Sequence, residues 1–209
     1  MDGKSKGGLT MDIVLYTQRV EIVESYGERR DCADQDIARL IEACGYLGVP
    51  VPNVREIAQQ LFMRLKPVGI VLTGGNSLVK YGGNAPERDE MEHELIRLAI
   101  EQEIPVYGFC RGMQMILDYF NCELTEIQGH VAVRHKLKGI LGELEVNSFH
   151  NQACLHIEEP LQVLAWTEDD VIEAVSCEKY RILATMWHPE RENPFREEDI
   201  LRIQNLFQK

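Results

Sequence analysis

"VYGFCRGMQMILDYF", residues 106–120, joins an apolar strand to an amphipathic helix through a tight turn that carries a cysteine. Within it, G-F-C-R-G fits the pattern G-x-S-x-G, which places a nucleophile on a sharp strand-to-helix turn, with Cys110 in the position of the serine. The neighbours of a residue in such a crowded, strained turn have to be glycines, here Gly108 and Gly112. The stretch therefore predicts a strand–turn–helix unit and makes Cys110 a candidate nucleophile.

The rest of the first 120 residues repeats this alternation of strands and helices. Short β-rich runs such as "VGIVLT" (68–73) are typical of buried strands. Helices are predicted to begin at Asp34, at Asn53 with Glu56 in capping-box spacing, and at about Glu87. Continuous apolar strands between helices predict an α/β fold with a mostly parallel central sheet flanked by helices.

The second half of the chain has a different pattern of predicted secondary structure. From about residue 128 it contains shorter extended runs, which we expect to add hairpins or edge strands to the α/β core, and a last helix is predicted at about 196–207. Residues 11–209 are predicted to form a single domain, and the Gly- and Lys-rich residues 1–10 a flexible extension.

Composition and charge exclude several classes of function. The chain has 22 basic and 34 acidic residues and a net charge of −12, which disfavours binding to nucleic acid. No apolar run is long enough to span a bilayer, and the N-terminus does not resemble a secretory signal, so we expect a cytoplasmic protein with reduced thiols. Metal-binding spacings such as HExxH are absent, and we expect neither a metal nor a cofactor.

Cys110 has five competitors among the cysteines of the chain. A helix N-terminus favours a thiolate, which gives Cys110 better electrostatics than Cys44 and Cys122 at predicted helix C-termini. Cys32 lies between acidic residues, which raise a thiol pKa, and the remaining two, Cys154 and Cys177, are expected to be packing residues. The alternative for Cys110 itself is a small buried residue at a tight turn.

A thiolate nucleophile needs a base, and "MWHPERE" (186–192) supplies one. His188 follows an apolar strand, and Glu190, two residues further along an extended segment, would point the same way and orient the imidazole. Glu192 is the competing orienting residue, and a purely structural histidine is the other alternative.

An oxyanion hole needs two backbone N–H groups directed at one point. One candidate is Arg111, directly after the cysteine, and the other lies in "LTGGN" (72–76), at the end of a neighbouring strand. Parallel strands bring both turns to the same edge of the sheet, although a Gly-Gly pair alone is only a turn signal.

These motifs, in this order, resemble the class I glutamine amidotransferase-like superfamily, which implies a flavodoxin-like sheet. "TQRVE" near the first strand, "APERDEMEHELI" (85–96) and "EVNSFHNQ" (145–152) are similar to its γ-glutamyl hydrolase branch. The resemblance implies hydrolysis of a γ-glutamyl amide, with Cys110 as the nucleophile that forms a γ-glutamyl thioester, His188 as acid and base, and Glu190 as its support. Gly75 and Arg111 would provide the oxyanion hole through their backbone N–H groups.

The same resemblance implies that Gln114 and the segment "NSFH" hold the glutamyl group; the segment comprises Asn147, Ser148, Phe149 and His150. Asn147 and His150 could equally be structural polar residues. Arg88 and Asp89 are interpreted as an exposed helical pair rather than an internal ion pair.

The identity of the leaving amine stays open. Thr73 and Asn151 depart from the family pattern, and the chain is short for the γ-glutamyl-γ-aminobutyrate hydrolases. It is similar to a short subset that hydrolyses a γ-glutamyl-CDP-amidate in the synthesis of surface polysaccharides. The alternatives are a glutaminase that delivers ammonia to a separate synthase and a non-catalytic binding protein. The expected partner is a small γ-glutamyl substrate, and a homodimer is left open.

Overall fold

The computed structural model describes residues 11–208; the predicted extension at residues 1–10 lies outside them. The protein is an α/β domain built on a nine-stranded mixed sheet. In chain order the strands are β1 (Ile13–Tyr16), β2 (Arg19–Val23), β3 (Glu28–Cys32), β4 (Leu47–Pro50), β5 (Gly69–Leu72), β6 (Val106–Phe109), β7 (Thr125–Glu126), β8 (Val131–Gly139), β9 (Leu144–Phe149), β10 (Gln152–Ala153), β11 (Gln162–Trp166), β12 (Ile172–Cys177) and β13 (Ile182–Thr185). The helices are α1 (Gln35–Ala43), α2 (Arg55–Leu65), α3 (Pro86–Glu101), α4 (Arg111–Tyr119) and α5 (Glu197–Phe207).

The large sheet has a parallel half and an antiparallel half. Its strand order is β4-β1-β5-β6-β13-β12-β11-β8-β9, in which the first five strands run parallel and the later pairings are antiparallel. The predicted α/β architecture, with additional short strands in the second half, is therefore confirmed. Two small antiparallel pairs, β2 with β3 and β7 with β10, lie outside this sheet.

Helices cover both faces of the parallel half, because alternate residues of each strand point to opposite sides. Leu15 of β1 belongs to one apolar cluster with residues of α2, α3 and α4, whereas Val14 and Tyr16 belong to another with residues of α1 and α5. Since both faces are buried, the carboxyl ends of the parallel strands are where a site can open. Within residues 11–208 every helix is too short or too polar to serve as a membrane span.

Two helix starts show where local sequence signals succeed and fail. Asp34 caps α1 as predicted, accepting a hydrogen bond from the Asp36 backbone N–H at 3.0 Å. The predicted capping box of Asn53 and Glu56 is wrong, since α2 begins without a side-chain cap. Asn53 instead donates its amide to Asp31 of β3, at 2.7 Å, and so ties the β2–β3 hairpin to the chain before α2.

Candidate active site

Cys110 occupies a strained turn between β6 and α4. Its φ of 52° and ψ of −112° lie in a region that residues with a Cβ rarely adopt, and its backbone N–H donates to the Thr185 carbonyl at 2.9 Å. A Cβ at Gly112 would overlap the carbonyl oxygen of Leu72, and one at Gly108 would lie 2.8 Å from the Gly112 oxygen. Gly112 is therefore required for α4 to start so close to β5, and Gly108 for α4 to pack so close to β6, which is the strand–turn–helix geometry that the motif predicts.

Four of the other cysteines are in environments that disfavour a thiolate. Burial raises the pKa of Cys44 to about 12, with a further contribution from Asp199, and burial raises that of Cys154 to about 11. The pKa values of Cys32 and Cys122 are also raised, in both cases mainly by burial. For Cys32 this corrects the sequence interpretation, since the acidic residue that contributes is Glu21 of the paired strand rather than its chain neighbours.

His188 and Glu190 form a buried pair beside the elbow. Nδ1 of His188 lies 2.7 Å from Oε1 of Glu190, and both residues are more than nine-tenths buried. This pairing agrees with the sequence prediction. The backbone between the two residues differs from the prediction, because residues 189–191 form a 3₁₀ turn rather than an extended segment. Glu192 does not compete for the imidazole, since its carboxylate accepts from Asn147 at 2.9 Å and from Arg134 at 3.0 Å.

The electrostatics of His188 favour the imidazolium. Burial lowers its pKa, but the neighbouring Cys110 and the hydrogen-bonded Glu190 outweigh burial and raise it to about 9. Its Nε2 is buried with no hydrogen-bond partner among the described residues, so it is available to exchange a proton at the sulfur or at a leaving group. A Cβ at Gly74 would lie 2.9 Å from the ring, so this glycine is needed for the ring to fit.

The two backbone groups expected to form the oxyanion hole are free. In residues 11–208 the N–H groups of Gly75 and Arg111 donate to no other group of the chain. Gly75 has a φ of 86°, a conformation that glycine adopts without strain. The elbow therefore lies beside two donors, at Gly75 and Arg111, that a tetrahedral intermediate could use.

The loop that carries Gly75 is held by Arg88, and here the sequence interpretation of an exposed pair is wrong. Arg88 is completely buried and donates to the carbonyls of Thr73 at 2.7 Å, Gly74 at 3.1 Å and Gly75 at 2.5 Å. Its Nε pairs with Glu92 at 2.9 Å. Burial lowers the pKa of Arg88 to about 10, although the nearby carboxylates keep it charged at neutral pH.

The side chain of Arg111 is also buried and completes the same network. It pairs with Glu92 and with Asp89, so Asp89 is a partner of Arg111 rather than of Arg88. The network joins α3 to the first residue of α4 and to the Gly-Gly loop. It thereby fixes the two segments that provide the free N–H groups.

The residues expected to hold the glutamyl group are mostly engaged with the protein. The Gln114 amide donates to the Gln152 carbonyl at 2.9 Å, and the Ser148 hydroxyl donates to the His130 carbonyl at 2.7 Å. The Asn147 amide is bonded to the His188 main chain, and His150 Nε2 lies 3.1 Å from Glu173. For Asn147 and His150 the geometry thus favours the structural alternative. Phe149 is half-exposed and lies edge-to-face with His188, at 5.7 Å between ring centroids.

Sequence reasoning missed the charged residues at the opening of the site. A cavity of about 50 Å³ beside His188 and Glu190 is also lined by Arg19, Asp34 and Arg191. Arg19 packs against Gly75, where a Cβ would lie 2.7 Å from the Arg19 side chain. The sequence identifies Asp34 only as a helix cap and gives no sign that it lies at the site. The spacing of Arg19 and Arg191 in the sequence does not indicate that either lies near Cys110.

A second concavity of about 360 Å³ shares Arg191 with this cavity. It is lined by residues of β8 and β9 and by Arg191, namely Ala132, Val133, Arg134, Asn147, Phe149 and Arg191. The Arg191 guanidinium lies 4.4 Å from the centre of the Phe149 ring. We call this surface the β8–β9 groove. It combines an exposed aromatic ring, apolar side chains and two arginines, of which Arg191 also lines the cavity beside His188.

The fold and these residues define an α/β protein with a cysteine elbow facing a buried His–Glu pair. The chain belongs to the class I glutamine amidotransferase family, whose model, described as "Glutamine amidotransferase class-I", matches residues 29–205. It is 34% identical, over 89% of this chain and 94% of the relative, to the gamma-glutamyl-CDP-amidate hydrolase of Campylobacter jejuni. It is 31% identical, over 68% of this chain and 73% of the relative, to a gamma-glutamyl-gamma-aminobutyrate hydrolase of Escherichia coli.

A solved structure supports the fold independently. The chain superposes on a protein of Thermoplasma acidophilum described as a component of GMP synthase, with a TM-score of 0.70, covering 95% of this chain and 94% of the other. The two sequences are only 18% identical, so this likeness shows the fold alone. The relatives named above place the resemblance in the branch of γ-glutamyl amide hydrolases, as the motifs predict.

Proposed function

We propose that the protein hydrolyses a γ-glutamyl amide through a thioester at Cys110. The observation that carries the proposal is the position of Cys110 on a strained elbow beside a histidine whose other nitrogen is held by Glu190 at 2.7 Å. In this reaction the thiolate attacks the δ-carbonyl carbon, a C–S bond forms, and the carbonyl oxygen takes the negative charge. The N–H groups of Gly75 and Arg111 would stabilise that oxyanion.

The remaining steps use one proton carried by His188. As the tetrahedral intermediate collapses, the C–N bond breaks and Nε2–H of the imidazolium protonates the departing amine, leaving a neutral ring and a thioester. The ring then takes a proton from water as its oxygen attacks the thioester carbon. The C–S bond breaks, glutamate leaves, and the thiolate–imidazolium pair is restored.

The β8–β9 groove supports a particular kind of leaving amine. An aromatic face, two arginines and apolar contacts are the groups that bind a base and an anionic phosphate together. Arg134 pairs with Glu145 at 3.1 Å and with Glu192 at 3.0 Å, so Arg191, which lies 3.7 Å from Glu190, is the arginine of the groove that is better placed to bind a phosphate. We therefore propose a nucleotide amidate as the substrate, in keeping with the name of the relative from Campylobacter jejuni.

Glutamate release from a panel of substrates tests both parts of the proposal, the reaction through Cys110 and the nucleotide amidate as the substrate. The panel contains glutamine, a neutral γ-glutamyl alkylamide and a γ-glutamyl-CDP-amidate, each assayed with the wild type and with Cys110→Ala. We expect the nucleotide substrate to have the highest kcat/KM and Cys110→Ala to abolish all turnover. Cys177→Ala removes another buried cysteine and serves as the matched control.

The outcomes separate the alternatives that the sequence leaves open. Intact-mass detection of a glutamyl adduct on Cys110 supports the thioester, whereas turnover that survives Cys110→Ala contradicts it. A preference for glutamine that rises when a synthase is added indicates an ammonia-delivering glutaminase instead. No glutamate from any substrate would leave the binding-protein alternative standing.

A further inference from the structure

Three side chains that the hydrolytic mechanism does not use converge in the antiparallel half of the sheet. They are His130, just before β8, His135 within β8, and Glu173 in β12. One ligand atom from each lies within 4.8 Å of the other two. The imidazole rings of His130 and His135 are 4.1 Å apart between centroids. We call these three residues the His–His–Glu cluster.

Each member of the cluster leaves one buried polar atom without a hydrogen-bond partner among the described residues: Nδ1 of His130, Nε2 of His135 and Oε2 of Glu173. Glu173 is completely buried and His130 almost so. Buried polar atoms are normally satisfied, because an unpaired one retains its cost of desolvation. Three unpaired atoms from three neighbouring residues therefore indicate a shared partner.

The other atoms of these side chains are fixed by a surrounding layer of hydrogen bonds. Nε2 of His130 lies 3.0 Å from Oδ2 of Asp169, and Nε2 of His150 lies 3.1 Å from Oε1 of Glu173. A carboxylate on the far nitrogen of a histidine sets its tautomer and directs the near nitrogen at a metal. Asp169 does this for His130, while His150 leaves Oε2 as the free oxygen of Glu173.

A proton alone accounts for only part of this arrangement. An imidazolium at His130 could join Asp169 to Glu173, whose Oε1 lies 3.5 Å from His130 Nδ1. That state still leaves Nε2 of His135 buried and without a partner among the described residues. A free, buried imidazole nitrogen beside two other unpaired ligand atoms is what a metal ion requires.

We propose that Nδ1 of His130, Nε2 of His135 and Oε2 of Glu173 bind one divalent transition-metal ion, of which Zn²⁺ fits the donor set best. Two imidazoles and one carboxylate are common zinc ligands, with bonds of about 2.0–2.2 Å and a water in the fourth position. Small rotations of the rings and the carboxylate bring atoms now within 4.8 Å to the edge length of such a tetrahedron, about 3.4 Å. The neutral imidazoles and two carboxylates, Glu173 and Asp169, then balance the divalent charge.

The site would position the strands that carry the active centre rather than touch the substrate. The Glu173 carbonyl accepts from the Met186 N–H at 2.7 Å, two residues before His188. The His130 carbonyl accepts from the Ser148 hydroxyl at 2.7 Å, next to Phe149, which contacts the His188 ring. A metal joining His130 to Glu173 therefore links the two segments that border His188.

Metal binding by the full-length chain tests the proposal without any assay of activity. The chain is prepared without a histidine tag, in the Cys110→Ala background so that the elbow thiol cannot bind metal, and stripped with a chelator. Titration with Zn²⁺ in a calorimeter is expected to show one ion per chain and a rise in Tm. Co²⁺ is expected to give the visible absorption bands of a tetrahedral site with nitrogen and oxygen ligands.

Variants assign the ligands. His135→Gln and Glu173→Gln are expected to weaken Zn²⁺ binding by more than about 100-fold, and Asp169→Asn by about 10- to 100-fold. His93→Gln, at an exposed histidine of α3, is the control and keeps full affinity. Absence of a stoichiometric Zn²⁺ site and of the Co²⁺ bands in the Cys110→Ala parent overturns the proposal even if a ligand variant fails to fold. Full affinity in His135→Gln overturns it as well.

Discussion

Asn147 holds the main chain of His188 through both ends of its amide. Its Nδ2 donates to the His188 carbonyl at 2.8 Å, and its Oδ1 accepts from the His188 N–H at 2.9 Å. The same Nδ2 donates to Glu192 at 2.9 Å. Asn147 is thus a positioning residue for His188, because it fixes the backbone from which the imidazole extends towards Cys110.

Substitution of Asn147 by alanine is expected to lower kcat more than it raises KM. The His188 backbone would lose both bonds and move, and a displacement of about 1 Å at a reacting group costs on the order of 10²-fold in rate. Unpaired buried groups are also expected to lower the free energy of unfolding by about 1–3 kcal/mol. Steady-state kinetics and urea denaturation measure the two effects.

The exposed Asn151, four residues along the chain, provides the control for this experiment. Asn151→Ala should leave both kinetics and stability unchanged. An Asn147→Ala variant that raises KM at constant kcat would contradict the positioning role and instead support direct contact between Asn147 and the substrate.

The raised pKa of His188 predicts a specific pH dependence. The pKa is about 9 in the folded protein, because Cys110 and Glu190 outweigh burial, against about 6.5 in an unfolded chain. A group with a raised folded pKa stabilises the fold fully below about pH 6.5, and that contribution is lost as the pH rises through about 9. We expect kcat/KM to fall over the same upper range, as the proton needed by the leaving amine is lost.

Two glutamate variants test which group causes this fall in kcat/KM at high pH, which we call the upper limb of the pH profile. Glu190→Gln removes the carboxylate at 2.7 Å from His188 and should move the fall in kcat/KM to lower pH. Glu192→Gln is the matched control, because Glu192 bonds Asn147 and Arg134 rather than the imidazole, and it should leave the limb in place. If Glu190→Gln leaves the fall in kcat/KM at the same pH, the fall is caused by a group other than His188.

Arg88 is expected to be essential for stability although it is a charged helical residue. Its removal leaves Oε1 of Glu92 and the carbonyls of the Gly-Gly loop without this partner in the protein interior, although Oε2 of Glu92 still pairs with Arg111. Breaking a buried ion pair in this way costs about 3–5 kcal/mol. Arg88→Ala should therefore lower Tm strongly, and Arg88→Lys should recover part of the loss, since lysine keeps the charge without the planar fork.

An exposed arginine gives the comparison for Arg88. Arg39 of α1 pairs with Asp36 at 2.6 Å on the surface, and such pairs are worth about 0–1 kcal/mol. Thermal unfolding of Arg39→Ala should be close to that of the wild type. Equal Tm values for Arg88→Ala and the wild type would show that the loop does not depend on this guanidinium.

The parts of the site that the sequence predicts are those governed by local rules. The elbow follows from glycine spacing, and the positions of His188 and of the Gly-Gly loop follow from the ends of parallel strands. The burial of Arg88 was not predictable, because its hydrogen bonds go to a loop packed against α3 by the tertiary fold. The His–His–Glu cluster was missed for the same reason, since it depends on how β8 and β12, which are far apart in the chain, are both placed next to β11 in the sheet.

The β8–β9 groove yields a last prediction, on substrate choice. Arg191 lies over Phe149 at 4.4 Å and lines both the groove and the cavity beside His188. Arg191→Gln removes the positive charge there and should raise KM for a γ-glutamyl nucleotide amidate by about tenfold, which corresponds to one charge-assisted hydrogen bond.

The kcat and KM for a neutral γ-glutamyl alkylamide should stay close to those of the wild type. Because Arg191 Nε also lies 3.7 Å from Glu190, the neutral substrate reports separately on any damage to the triad. Arg64→Gln, at an exposed position near the C-terminus of α2, controls for the loss of one surface charge. Equal losses on both substrates would mean that Arg191 acts through Glu190 and that the groove does not select an anionic amine.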